Sequence, residues 1–184
     1  MAAENEIIIV EYDARWPGLY EQEKELILSR IGREAVAIEH IGSTAVPGLG
    51  AKPIIDIMIA VRRLADAERC IKRLAAIHYE YVPRHEAVMP ERRYFHKGPS
   101  RSGRTHHLHM VEHDGDFWRR HLLFRDFLRA HPTEAQHYYR LKKELADHFC
   151  IDREAYTEAK TSFIKACVER SRNESGHLRP PVVC

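Results

Sequence analysis

The run Ile54-Ile55-Asp56-Ile57-Met58-Ile59-Ala60-Val61 constrains this chain more than any other segment. Apart from Asp56 it is apolar on both faces, and a short run of that kind predicts a strand in the middle of a covered sheet. Side chains alternate along a strand, so Asp56 shares a face with Ile54 and Met58, while Ile55, Ile57 and Ile59 point the other way. A carboxylate in such a place loses hydration and needs a cation, a hydrogen-bond network or a metal to offset the loss. An aspartate that merely satisfies a turn or a helix end is an equally good account of this residue taken alone.

The flanking patterns predict strands and helices interleaved in the first half and helices alone in the second. Ile7-Ile8-Ile9-Val10 is a short β-branched run. A helix follows from Asp13 and Pro17 to Gly32, with start and stop residues at its ends. Ala35 to Ile41 reads as a strand ending in the turn Gly42-Ser43, and Pro53 to Val61 as the central strand. A helix over Leu64 to Ile77 leads to strands over Tyr79 to Val82, Arg92 to His96 and Thr105 to Glu112. Apolar stripes at helical spacing then mark Asp116 to Arg129, Pro132 to Phe149 and Arg153 to Arg170, with Asp152 as a cap for the last. This order predicts an α+β fold, a mixed β-sheet with flanking helices and a helical C-terminal part, rather than a regular doubly wound sheet.

At 184 residues the chain fits one domain, taken as residues 1–170, that buries a core without disulfides or a structural metal. Residues 171–184, with Gly176 and two prolines, are expected to form a mobile tail. The formal net charge of +2 does not announce a nucleic-acid binder. Aromatic and basic residues do not interleave on a strand as they do in single-strand platforms. The four cysteines are scattered without a Cys-x-x-Cys pair, which suits a reducing compartment. No leader-like or membrane-spanning run is evident, so a cytoplasmic protein with no membrane partner is expected.

Gly42-Ser43 gives the Asp56 strand a chemical context. A glycine after a strand lets backbone approach a phosphate, and Ser43 and Thr44 offer hydroxyls and amides to its oxygens. With a carboxylate on the next strand, the turn forms a phosphate cradle facing a candidate metal ligand, the arrangement that nucleotidyl transfer needs.

The string from His40-Ile41-Gly42-Ser43-Thr44-Ala45-Val46-Pro47-Gly48 through Lys52-Pro53-Ile54-Ile55-Asp56-Ile57 resembles the signature of the GrpB family. His107-Leu108-His109, Leu123-Phe124-Arg125-Asp126-Phe127-Leu128-Arg129, Tyr139-Arg140-Leu141-Lys142 and the opening Tyr12 to Trp16 also match its pattern. The resemblance covers about residues 7 to 149 and implies a nucleotidyltransferase-like fold. It further implies a Gly-Ser turn followed by a carboxylate-x-carboxylate pair that holds two metal ions, Mg²⁺ or Mn²⁺. Here the pattern breaks, because the second place of the pair is Met58, a soft thioether that does not ligate Mg²⁺.

His107 and His109 lie on one face of a strand and are candidates to replace the missing acid, with His40 at the end of the preceding strand as a third. Asp56, His40, His107 and His109 together would suit a transition metal better than Mg²⁺. Without a metal, the histidines would be hydrogen-bonding partners of Asp56 or of a ligand phosphate. Lys52, Arg93 and Lys97 are the candidate phosphate-binding cations alongside Gly42, Ser43 and Thr44. Arg125, Arg129 and Lys142 fall on helices, where solvent exposure is the simpler expectation.

The leading functional expectation is a nucleotide-binding, nucleotidyltransferase-like enzyme with Asp56, His107 and His109 as catalytic residues. A binding module on the same fold that takes a nucleotide or coenzyme-A-related ligand without turnover is the second. A His/Asp metal-dependent hydrolase is the third. The locally basic stretch Arg84 to Arg104 leaves an RNA acceptor open, and the oligomeric state is not legible.

Overall fold

The computed structural model describes residues 7–99 and 103–177, with side chains given through Glu174. Helix α1 (Trp16–Ile31) precedes strands β1 (Ala37–Ile41) and β2 (Ile55–Val61). Helix α2 (Glu68–Ala75) leads to β3 (Tyr79–Tyr81), β4 (Arg92–Lys97) and β5 (His106–Glu112). Helices α3 (Asp116–Ala130), α4 (Pro132–Phe149), α5 (Arg153–Ala159) and α6 (Thr161–His177) complete the chain. The strands form one mixed sheet in the order β1-β2-β5-β4-β3, parallel only between β2 and β5. The α+β expectation is therefore met, and the Asp56 strand is interior to the sheet.

Three local expectations differ from the structure. Of the Ile7 to Val10 run, only Val10 makes a sheet-like bridge, to Ala51, because the segment crosses the loop before β2 instead of joining the sheet. The expected last helix is two, parted between Ala159 and Thr161, although Asp152 caps the first as expected by accepting from the amides of Glu154 and Ala155. Helix α6 also runs on to His177, into the stretch expected to be a mobile tail; Arg172 lies 3.6 Å from Asp116 and Arg170 2.6 Å from Glu134. Residues 178–184 lie outside the described residues.

Strand alternation sorts the sheet into two unlike faces. Ile55, Ile57, Ile59 and Val61 of β2, with Leu108 and Met110 of β5 and Phe95 of β4, pack against Ile27 and Ile31 of α1 and Leu74 of α2 in the largest apolar cluster. Each such fully buried side chain contributes about 1.5–3 kcal/mol relative to exposure, so this face fixes the register. The other face carries Met58, Ala60 and Val111 against Phe117 and Trp118 of α3 at one end. At its other end it is lined by Asp56, His107 and His109 and is roofed by the C-terminal helices.

The turn at Gly42 joins the two halves of this arrangement. Gly42 has φ +71°, and a Cβ there would lie 2.4 Å from Asp56 Oδ2. Helix α3 holds the turn and the strand end from outside. Arg125 donates to Glu39 at 2.6 Å and to the His40 carbonyl at 3.0 Å, while Arg129 donates twice to the Ala45 carbonyl. These arginines are structural clamps and not the solvated charges expected of them. Gly42→Ala is expected to destabilise the protein by about 1–3 kcal/mol through left-handed strain and displacement of Asp56. A lowered urea midpoint checks this; an unchanged midpoint refutes it.

Candidate functional site

The register brings Asp56 and His107 side by side on adjacent parallel strands. His107 Nδ1 lies 3.0 Å from Asp56 Oδ1. A carboxylate only accepts, so Nδ1 carries the proton, and in the neutral ring Nε2 is left as a lone-pair acceptor. That Nε2 is buried and has no hydrogen-bond partner among the described residues. The pair thus has the form of an oriented base, with the acid fixing the tautomer of the imidazole.

His109 faces the same side two residues further along, beside Met58. Its Nδ1 accepts from Arg92 Nη1 at 2.9 Å, and burial holds its pKa well below the ordinary histidine value. His40 is not on this face. It is paired with Ile57, stacks on Tyr20 of α1 with ring centroids 4.6 Å apart, and lies 3.0 Å from Thr44 Oγ1. Thr44 Oγ1 in turn donates to the Ile54 carbonyl at 3.3 Å. His40, whose pKa burial lowers to about 4, is therefore a latch between the turn and the start of β2.

The expected metal set of Asp56, His40, His107 and His109 does not converge. Strand parity sends His40 to the opposite face, and His109 is engaged by a cation. No group of three His, Cys, Asp or Glu residues among the described residues is arranged to hold a metal ion. Met58 is fully buried against the apolar cluster below α3. The residues present fit neither a two-metal carboxylate centre nor a three-histidine one.

The expected cations divide in the same way. Lys52 lines the crevice with Ser43, Thr44 and Asp56. Arg93 and Lys97 lie on the far side of β4: Arg93 pairs with Glu86 at 3.3 Å, and Lys97 with Glu23 of α1 at 3.0 Å. They share strand parity with Phe95, which is drawn into the main core. The residues of β4 that face the site are Arg92, Tyr94 and His96. Apolar character at Phe95 is the sequence signal that assigns this parity, and it applies one residue away from where the cations were sought.

Two further lysines come from the helical half. Lys142 of α4 donates to the Gly50 carbonyl at 2.5 Å, and Lys160, just after α5, lies over the Tyr156 ring at 4.0 Å. Both line the crevice. Each follows a tyrosine by four residues, Tyr138 before Lys142 and Tyr156 before Lys160, so a lysine one turn beyond a core aromatic was the available signal. Burial pushes Lys142 down to about 7, with repulsion from Lys160 adding to it. Burial and then Lys52 hold Lys160 at about 7, while burial and then Arg153 bring Lys52 to about 8. Asp56 opposes all three shifts. A cavity of about 360 Å³ beside them reaches Gly42, His107 and His109. The arrangement sets desolvated ammonium groups around one carboxylate already bound to a histidine, which is complementary to an anion.

No helix among the described residues is long and apolar enough to cross a membrane. The family description "GrpB protein" matches residues 6–170. The chain is 40% identical over 164 residues to the UPF0157 protein YqkA of Bacillus subtilis, covering 89% of this chain but only 47% of that protein, so it spans about half the length of that relative. It is 37% identical over 162 residues to the Glutamate-rich protein GrpB of Alkalihalophilus pseudofirmus, covering 86% of this chain and 92% of that one. The crystal structure of conserved protein GrpB from Enterococcus faecalis matches with a TM-score of 0.82 and 35% identity, over 91% of this chain and 99% of that chain. Sequence signature, family match and shared fold agree, and the chain belongs to the GrpB family.

Proposed function

We propose that this protein binds a phosphorylated small molecule of the nucleotide class in the crevice between the Gly42-Ser43 turn, the Asp56 face of the sheet and helices α4 to α6. The observation that carries this reading is the set Lys52, Lys142 and Lys160. They are desolvated and mutually repelling, and none has a carboxylate within ion-pair distance among the described residues. Such charges cost stability in the empty protein and are offset when an anion enters. The turn adds close backbone approach, and Ser43 lines the same wall.

Within this reading Asp56 and His107 supply a proton acceptor, not a metal cage. His107 Nε2 would take a proton from a ligand hydroxyl, and Asp56 would hold the ring and stabilise the imidazolium. Nucleotidyl transfer assisted by two metal ions, the reaction implied by the family resemblance, lacks its second carboxylate. Met58 in that place favours a second reading, binding without turnover. Incubation with labelled nucleoside triphosphates separates the two. Product formed by the wild type and lost in His107→Asn, with affinity retained, identifies the base; saturable binding with no product identifies the module.

Two outcomes are expected for binding itself. Calorimetric titration with a nucleoside triphosphate in EDTA should saturate, and Lys52→Met or Lys160→Met should weaken it about tenfold, as expected for losing one charge-assisted contact. Absence of binding by the folded wild type would sink the reading. The pH dependence has a fixed sign. A bound phosphate raises the depressed lysine pKa values, so the complex holds more protons than its separated parts. Binding at about pH 8 should therefore take up protons, and affinity should fall between about pH 7 and 9. Titrations in buffers of different ionisation enthalpy measure that uptake, and a rise in affinity over this interval would contradict it.

A further inference from the structure

A second cavity, of about 520 Å³, opens off the first on the β4 side of His107 and His109. Arg84, Arg92 and Arg104 line it, together with His85 and Tyr94, and its one carboxylate is Glu154. None of the three arginines is within ion-pair distance of an acid among the described residues, whereas the enclosed Arg93 and Arg125 both are. The Nε atoms of Arg92 and Arg104 are buried without a hydrogen-bond partner. Arg92 is packed between aromatic rings, 5.1 Å from the Tyr94 centroid and 5.8 Å from that of Phe117, and spends one Nη on His109.

Among the described residues Arg93 and Arg125 are enclosed and neutralised, so the half-buried Arg92 and Arg104, left without an acid beside one cavity with the exposed Arg84 at its rim, are not accounted for by folding. Guanidinium groups with unfilled N–H donors match the oxygens of phosphate or carboxylate. The cavity also has an electrostatic signature. His85 and His96 are both held below the ordinary histidine value, first by burial and then by these arginines. Histidines beside it therefore do not add to the charge; the guanidinium groups supply it.

We infer that the cavity lined by Arg84, Arg92 and Arg104 is a second anion subsite. The ligand would then be a small molecule with two phosphate groups on separate arms, one among the crevice lysines and one among these arginines. The inference rests on the proposed phosphate site beside Asp56. The lysines come from the approach to β2, from α4 and from the end of α5, and the arginines from β4 and the turns before and after it, so the two groups enter from different segments and meet at β5. His107 and His109 line both cavities, which puts the lone pair of His107 Nε2 beside the linking portion of such a ligand.

Three probes sharing one base test this by calorimetry on the full chain: adenosine 5′-monophosphate, adenosine 5′-diphosphate and adenosine 3′,5′-bisphosphate. The last two carry equal numbers of phosphates, contiguous in one and divided in the other. The divided probe should bind about tenfold more tightly than the monophosphate. Arg104→Met and Arg84→Met should abolish that gain while leaving monophosphate affinity unchanged, and Arg104→Lys should restore part of it. A thermal midpoint for each variant confirms that it is folded. Should the divided probe gain nothing over the monophosphate, or keep its gain in the folded arginine variants, the second subsite is refuted and the first stands. Failure of all three probes with the wild type would instead overturn the phosphate site on which the inference rests.

Discussion

The contact between Asp56 and His107 is the constraint around which the rest of the site is arranged. One carboxylate oxygen lies 3.0 Å from the imidazole nitrogen, and the other faces Gly42 so closely that no side chain fits there. Three segments distant in sequence are thereby tied to one point. A carboxylate at the end of a strand that is otherwise apolar has few ways to be satisfied. Here the parallel neighbour strand supplies a donor and the turn supplies space. The clamps from Arg125 and Arg129 then make sense, since they hold the strand end and the turn at the separation that this contact needs.

Charge is distributed in this protein by location and not by total. The chain as a whole is close to neutral, at a formal +2, yet its crevice gathers lysines from β2's approach, α4 and the end of α5, and arginines from β4 and its flanking turns. Packing ammonium groups into a desolvated space lowers their proton affinity, because the charged form loses hydration and repels its neighbours. That arrangement lowers the stability of the empty protein. The opposite face of the sheet offsets it with a large apolar cluster built from α1, α2 and the inward residues of β2, β4 and β5.

The resemblance to a two-metal transferase is preserved in the turn and the first carboxylate, but not in the donor set. Met58 occupies the next place on the same face and is committed to packing against Phe117 and Ile41. Sulfur in an apolar cluster is not a vacant ligand; its surroundings contain no group that a hard cation would need. The imidazole of His107 lies beside Asp56 instead, in a crevice that Lys52, Lys142 and Lys160 also line.

Much of the frame was legible in the chain itself. The apolar run around Asp56, the turn at Gly42, the cap at Asp152, the stop at Gly32 and the extent of α4 follow from local rules of alternation, capping and periodicity, which act within a few residues. The same rules bring out Asp56 and Lys52, both of which line the crevice. Tertiary structure alone decided which side of β4 faced the site, and it chose Arg92 and Tyr94 over Arg93 and Lys97 because Phe95 had to enter the core. It also turned His40 toward Tyr20 and brought Lys142 and Lys160 from helices far along the chain. A sequence specifies which residues alternate, but the burial of one large apolar side chain against a distant helix decides which alternate set faces the crevice.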